Sequence, residues 1–365
     1  MIRSEIERQG PQSFAWFMEQ ALYHPEHGFY SSDRAGIGRA GDYFTNVSVG
    51  AVFGQLFTAQ FAEIWERLGK PQDFVIVEQG AHHGDFARDV LEWSGQHYPE
   101  FLAALRYKIV EPFPRLQERQ AQSLSRFGDR VQWCRSLEEL QPFVGVHFSN
   151  ELLDSFPVHL VVSSRDGWLE KMVGLNEDGF VFIEQPIADP KLKNAVGKIR
   201  PVSVGYQTEV NLAAIDWLEV LSKKLRRGCV LIVDYGFTRE QFCDSQRSAG
   251  ALQVRSQHRL LSCAFDEIGG ADITSHIDWT SLAEWAEKDG LHVLGFTDQH
   301  HFLTGIISEI GDVPAGSKNK RALQTLLHPE MLGRAFHVLA LEKDVTLDPL
   351  TGFKFVQDSR RFLGL

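Results

Sequence analysis

The stretch Asp73-Phe-Val-Ile-Val-Glu-Gln-Gly-Ala-His-His-Gly84 constrains this chain more than any other. Phe74 to Val77 is an unbroken apolar run rich in β-branched residues and bounded by polar ones. That is the pattern of a central parallel strand covered on both faces. Gly80 and Gly84 then mark a tight turn, and Phe86, Val90, Leu91 and Trp93 follow near helical spacing. Strand, glycine turn and helix in this order open an α/β fold in which a ligand can approach bare backbone at the carboxyl edge of the sheet.

The glycines alone are equally consistent with a strand-to-helix turn that uses their backbone freedom. They do not form a dinucleotide fingerprint, because His82 stands where the second glycine of G-x-G-x-x-G admits a pyrophosphate. Glu78, just before the loop, is the sharper clue, since a carboxylate there can hold the ammonium of an amino-acid-like ligand through charge-assisted hydrogen bonds. S-adenosylmethionine carries such a group.

Lys plus Arg number 37 against 48 Asp plus Glu, a net charge of −11, with no long basic run. A phosphate-neutralising face for duplex nucleic acid is therefore not expected. Cys134, Cys229, Cys243 and Cys263 contain no C-x-x-C pair, which argues against a zinc ribbon or a disulfide scaffold and fits a reducing compartment. The opening Met-Ile-Arg-Ser-Glu-Ile-Glu-Arg lacks the apolar centre of a signal peptide, so a cytoplasmic protein is expected. No apolar run approaches the ~20 residues that span a bilayer, and no membrane insertion is expected.

Strands alternating with helices predict an α/β fold: a Rossmann-like open parallel sheet with helices on both faces. Residues 1–50 read as an N-terminal helical cap, built around Phe14-Ala-Trp-Phe-Met-Glu-Gln-Ala-Leu-Tyr23, and a glycine-rich lid over Gly36 to Asn46. Residues 51–365 read as the core. Arg106-Tyr-Lys-Ile-Val-Glu is a second strand ending in Glu111, where a doubly wound nucleotide fold keeps its ribose-binding acid. Val131-Gln-Trp-Cys, Val144-Gly-Val-His-Phe-Ser and Gly228-Cys-Val-Leu-Ile-Val-Asp supply further strands, and Leu291 to Phe296 and Phe336 to Leu341 two late ones. Two insertions interrupt this core: antiparallel hairpins at 158–186, marked by Arg-Asp-Gly and Asn-Glu-Asp-Gly turns, and a loop-rich segment at 237–270. Between them Glu209 to Leu225 reads as helical.

With these pieces the chain resembles a class I S-adenosylmethionine-dependent methyltransferase. More narrowly, it resembles the MidA-like family that includes the mitochondrial complex I assembly arginine methyltransferase. The resemblance rests on ordered motifs over nearly the whole chain: Gly41-Asp-Tyr-Phe-Thr, Phe53-Gly54, Val77-Glu-Gln-Gly, Ile109-Val-Glu, Asn150-Glu-Leu-Leu-Asp-Ser-Phe-Pro-Val, Val233-Asp-Tyr-Gly, Asp272-Ile-Thr-Ser-His-Ile-Asp and Pro329-Glu-Met-Leu-Gly-Arg-Ala-Phe-His-Val-Leu. It implies S-adenosylmethionine as cofactor, bound by Asp42, Thr45, Glu78, Gly80, His82, Gly84, Glu111 and Asn150. It also implies a protein acceptor, arginine being favoured, with a respiratory-complex subunit as the family's partner. The family's loop resembles E-L-G-P-G-R-G, and here Gln79, Ala81, His82 and His83 replace its Leu, Pro, middle Gly and Arg. An imidazole at position 82 is expected to crowd the cofactor's methionine part and to resist the backbone angles of a glycine. A second reading follows, a degenerate methyltransferase fold acting as an assembly or binding factor without chemistry.

Methyl transfer from a sulfonium asks mainly for alignment and for management of the acceptor's proton. Asn150 and Glu151 close the fourth strand, where such folds present acceptor-binding groups, and Glu151 can hold a guanidinium bidentately. Asp154 and Asp234 are supporting candidates, although Asn150 and Asp154 also read as caps of a following helix, the reading that suits Asp154 better. Asp272, Thr274, His276 and Asp278 alternate, so an extended segment would put them on one face. They would form a network with His276 as a proton shuttle, or else a cap at Asp278 and a structural histidine. His82-His83 and His300-His301 are adjacent pairs whose rings should point apart, and no metal is expected.

Overall fold

The computed structural model describes residues 1–31, 45–201, 203–244, 247–257, 259–310, 317–347 and 349–365. The chain divides into two compact units. One comprises Met1–Tyr43, Leu153–Asp216 and Phe237–Trp279, the other Phe44–Leu152, Trp217–Gly236 and Thr280–Leu365.

The second of these holds residues 73–84, the strand and glycine turn. Its strands are β1 (Phe74–Gln79), β2 (Leu105–Val110), β3 (Val131–Cys134), β4 (Phe143–Asn150), β5 (Leu225–Phe237), β6 (His292–Asp298) and β7 (Phe336–Lys343). They lie in the order β3-β2-β1-β4-β5-β7-β6. β1 pairs in parallel with β2 and β4, β2 with β3, and β4 with β5. Chain order reverses at β1, so the crevice beyond the carboxyl ends of β1 and β4 is the switch point at which open α/β sheets bind ligands.

Successive strand residues face opposite sides of the sheet, and both sides are covered. Phe148 of β4 meets Phe86 of helix α2 (Asp85–His97) at 4.3 Å between ring centres and Phe57 of helix α1 (Val52–Arg67) at 5.0 Å. Its neighbour His147 faces the other way, 5.2 Å from the Trp217 ring on helix Leu212–Lys224. The expected α/β sheet with helices on both faces is what the structure contains. In one respect it differs: β7 enters between β5 and β6 antiparallel to both. An antiparallel insertion satisfies both of its hydrogen-bonding edges without a further crossover, and residue pattern alone does not encode strand direction.

The first unit is antiparallel. Strands Gln12–Ser13, Gly167–Asn176, His159–Ser164 and Gln207–Val210 follow one another across a sheet, and Gly179–Pro186 pairs with Gly167–Asn176. The hairpins expected at 158–186 are thus present. Helix Phe14–Tyr23 begins at Ser13, whose hydroxyl accepts from the Trp16 amide at 3.1 Å. Its Phe14, Phe17, Met18 and Leu22 pack into a core with Val173, Val254 and Ile273. Two sequence expectations need correction here. The helical reading of Glu209 to Leu225 begins too early, because Gln207–Val210 pairs with His159–Ser164 before the helix starts at Leu212. The stretch read as loop-rich holds strands Gln253–Ser256 and Arg259–Leu260, joined to Asp272–Thr274 in a three-stranded sheet.

Candidate active site

β1 ends at Glu78-Gln79, and the loop turns through three left-handed residues: Gly80 at φ 82°, His82 at φ 45° and Gly84 at φ 78°. The Gly84 amide donates to the Ala81 carbonyl at 2.7 Å, and helix α2 starts at the next residue. The amides of its first turn, which have no acceptor within the helix, border the loop. His82 therefore does adopt the left-handed backbone that it was expected to resist. Histidine is among the side chains that tolerate this region, at about 1–2 kcal/mol. The same turn corrects a second expectation. The rings of His82 and His83 do not point apart; their centres are 3.7 Å apart, because alternation of side chains holds for extended backbone only.

Two buried carboxyl groups frame the loop. Glu78 receives a hydrogen bond from the Tyr107 hydroxyl on β2 at 2.6 Å. Burial pushes its pKa up to about 8, with the nearby Asp89 and Asp85 adding to the rise and the Tyr107 bond opposing it. Glu111 directly follows β2, and its amide donates to the Cys134 carbonyl of β3 at 2.9 Å. One oxygen accepts from the Phe113 amide at 3.1 Å and the other from Gln120 Nε2 at 3.0 Å, while burial raises the group to about 7. Among the described residues no lysine or arginine pairs with either acid. A ligand offering an ammonium at Glu78 and hydroxyls at Glu111 would stabilise both charged forms. S-adenosylmethionine offers both, so the residues present fit it.

At the neighbouring strand end, the turn after β4 is held from several sides. Glu151 is itself left-handed, at φ 51°. Its amide donates to the Val233 carbonyl at 2.9 Å, and the Leu152 amide donates to Asp234 Oδ2 at 3.2 Å. Asp234 Oδ1 also accepts from the Tyr235 amide at 2.9 Å, so this fully buried carboxylate acts as a brace for the turn. Glu151 Oε1 accepts from Asn150 Nδ2 at 2.9 Å and from the Asn46 amide at 3.1 Å, and Asn46 Nδ2 donates to Asn150 Oδ1 at 2.9 Å. A Cβ on Gly80 would lie 3.5 Å from Leu152 Cδ1 and 3.8 Å from the Asn150 carbonyl. Loop and turn therefore adjoin at ordinary van der Waals distance, and it is the φ of 82° rather than a lack of space that calls for glycine at 80.

The structure thus brings together Glu78, Gly80, His82, Gly84 and Glu111 around one loop, and Asn150, Glu151 and Asp234 beside it. Thr45 is buried nearby in sequence to Asn46, with its hydroxyl accepting from the Ser48 amide at 3.1 Å as the cap of a short turn. Asp42 lies outside the described residues. His276 belongs to the other unit, where its ring stacks on Phe237 at 4.8 Å and Nδ1 lies 3.2 Å from the Ala251 carbonyl. Burial holds it below the ordinary histidine value. Asp272, Thr274, His276 and Asp278 do not lie on one continuous strand, since Asp272–Thr274 and Ile277–Asp278 are separate strands. Tyr30 donates to Asp272 at 2.8 Å, and Asp278 stands 4.0 Å from Arg239. The helix expected after Asn150 and Asp154 is also absent; Leu153–Ser155 is one turn of 3-10 helix and a strand follows at His159. Among the described residues no group of His, Cys, Asp and Glu could hold a metal ion. Asn46 and Gln120 are not recognisable from sequence, since isolated polar residues carry no spacing signal.

The model of a family described as S-adenosyl-L-methionine-dependent methyltransferases matches residues 56–297. The chain is 25% identical over 394 residues to the protein arginine methyltransferase NDUFAF7 homolog, mitochondrial, of Drosophila melanogaster, covering 96% of this chain and 87% of that one. It is 24% identical over 382 residues to the protein arginine methyltransferase NDUFAF7, mitochondrial, of Homo sapiens, covering 92% and 81%. A superfamily protein from Burkholderia thailandensis, crystallised with S-adenosyl-homocysteine bound, superposes with a TM-score of 0.87 at 28% identity over 99% of this chain and 95% of that one. The family match over most of the chain, the shared fold and the acid-framed glycine loop agree: this chain belongs to the S-adenosylmethionine-dependent methyltransferases, within a MidA-like class I group.

Proposed function

We propose that the enzyme methylates arginine side chains of a protein, with Glu151 holding the acceptor. In this reading Glu78 binds the amino group of S-adenosylmethionine and Glu111 its ribose, while the bound sulfonium supplies the methyl group. The carrying observation is the fixed carboxylate of Glu151, whose Oε1 takes two hydrogen bonds at 2.9 and 3.1 Å beside the cofactor loop. A carboxylate oriented in this way suits the planar fork of a guanidinium. Asn150 and Asn46 set its rotamer, and Asp234 braces the backbone beneath it. The relatives named as protein arginine methyltransferases support the acceptor class. The net charge of −11 favours a basic peptide over a polyanion.

A respiratory-complex subunit as partner and a cytoplasmic location are parts of the same proposal, to be checked by fractionation, because the relatives are named mitochondrial. The test is quantitative mass spectrometry of the host's proteins with and without the gene. Loss of a specific methylarginine, restored by the wild type and not by Glu151→Gln, is expected. An unchanged protein methylation profile together with an altered small-molecule methylation product would overturn the reading. His82 motivated a non-catalytic binding factor as the second reading; its left-handed geometry removes the backbone objection on which that reading partly stood.

A further inference from the structure

Helix α3 (Pro114–Leu124) packs against the loop closely enough that a Cβ on Gly84 would lie 3.2 Å from Leu124 Cδ1 and 3.6 Å from Gln120 Cγ. Gln120 is fully buried at that contact. A buried glutamine in the middle of an otherwise polar helix needs a full set of partners. It has them: Nε2 donates to the His82 carbonyl at 2.8 Å and to Glu111 Oε2 at 3.0 Å, while Oε1 accepts from Trp133 Nε1 at 2.9 Å. The Trp133 bond fixes which end of the amide is which, because indole can only donate.

We propose that Gln120 is a positioning residue of the cofactor site, clamping the left-handed turn at His82 to the Glu111 carboxylate so that the two ends of the cofactor are held in register. One amide group thereby links β1's loop, the acid after β2 and Trp133 of β3. The clamp also accounts for how a histidine is kept at φ 45°, since the His82 carbonyl is held by a buried donor. The inference rests on the assignment of Glu111 to the cofactor's ribose.

The experiment is titration calorimetry with S-adenosylhomocysteine on the full chain, as wild type, Gln120→Leu, Glu111→Gln, the double variant and Trp133→Phe. Gln120→Leu is expected to weaken binding about tenfold, and to weaken it less than about twofold further when Glu111→Gln is already present, because contacts that act through one another are not additive. Trp133→Phe keeps an aromatic side chain but removes the indole donor to the Gln120 amide. It should weaken binding in the same background-dependent way, and it carries the test should Gln120→Leu not fold. The pH profile adds a readout that packing damage does not move. Loss of the Gln120 donor shifts the rise in affinity due to Glu111 ionisation to higher pH, and Glu111→Gln removes that rise. Other titratable groups near the loop are Glu78, His82, His83, Asp85, Asp89 and Arg119, which is why the shift is read against Glu111→Gln. Additive losses, or an unmoved profile with wild-type affinity, overturn the clamp while leaving the cofactor reading intact. Failure of the wild type to bind overturns both.

Discussion

Cofactor binding should release protons, in an amount set by the two buried acids. With Glu78 raised to about 8 and Glu111 to about 7, at pH 7 roughly nine-tenths of the first and half of the second carry a proton before ligand binds. An ammonium at Glu78 and hydroxyl donors at Glu111 favour the charged carboxylates, so binding drives both toward ionisation. The expected release is roughly 1.4 protons per site at pH 7, falling to roughly 0.6 at pH 8, where half of Glu78 is already ionised. Calorimetric titration of S-adenosylhomocysteine in buffers of different ionisation heat measures this directly, because the slope of apparent enthalpy against buffer enthalpy is the proton count. Glu78→Gln should leave only the roughly 0.5 proton of Glu111 at pH 7. A slope near zero in the wild type, or one that Glu78→Gln leaves unchanged, would refute the assignment of Glu78 to the cofactor's amino group.

Tyr107→Phe removes the donor to charged Glu78, so ligand affinity at pH 7 should fall about tenfold and proton release rise, both read in the same titration. His82→Gly relieves a left-handed side chain and should raise the unfolding free energy by about 1 kcal/mol in urea while keeping S-adenosylhomocysteine affinity within about threefold. His147 is fully buried on β4, neither ring nitrogen finds a partner among the described residues, and burial lowers it to about 3 from 6.5. A depressed base loses stability as pH falls from 6.5 toward 3, so His147→Leu should move the acid-unfolding midpoint to lower pH. Glu78 and Glu111 act in the opposite sense. Their raised values favour the unliganded fold at low pH and cost it stability as pH rises from 4.5 through about 7 to 8, so the melting temperature without ligand should fall across that window.

What the sequence shows of this fold is what burial writes into residue type. Phe74 to Val77 is legible because a strand covered on both faces must be apolar throughout, and Gly80 and Gly84 because their backbone angles favour glycine. The placing of Glu78, Glu111 and Glu151 at strand ends follows from the alternation of strands and helices, with the family resemblance supplying the role of Glu151. The antiparallel sense of β7 is not legible, since hydrogen-bond direction leaves the same apolar pattern. Gln207–Val210 is hidden by its length of four residues beside a strong helix. Gln120 reads as a solvated helix position, and only the packing of α3 on the loop reveals it as buried. His82 looked like an obstacle because residue identity does not disclose φ; its carbonyl is held by a donor 38 positions away in sequence.

Methyl transfer to protein arginine is placed at the site beside Glu151. Its most direct measurement incubates the purified chain, methyl-labelled S-adenosylmethionine and protein from a host lacking the gene, then hydrolyses the protein and separates its amino acids. Label in methylarginine is expected with the wild type and its loss with Glu151→Gln, while S-adenosylhomocysteine affinity stays within about threefold, because Glu151 is assigned to the acceptor and not to the cofactor. Label confined to another amino acid or to small molecules, or equal methylarginine from Glu151→Gln, would contradict it.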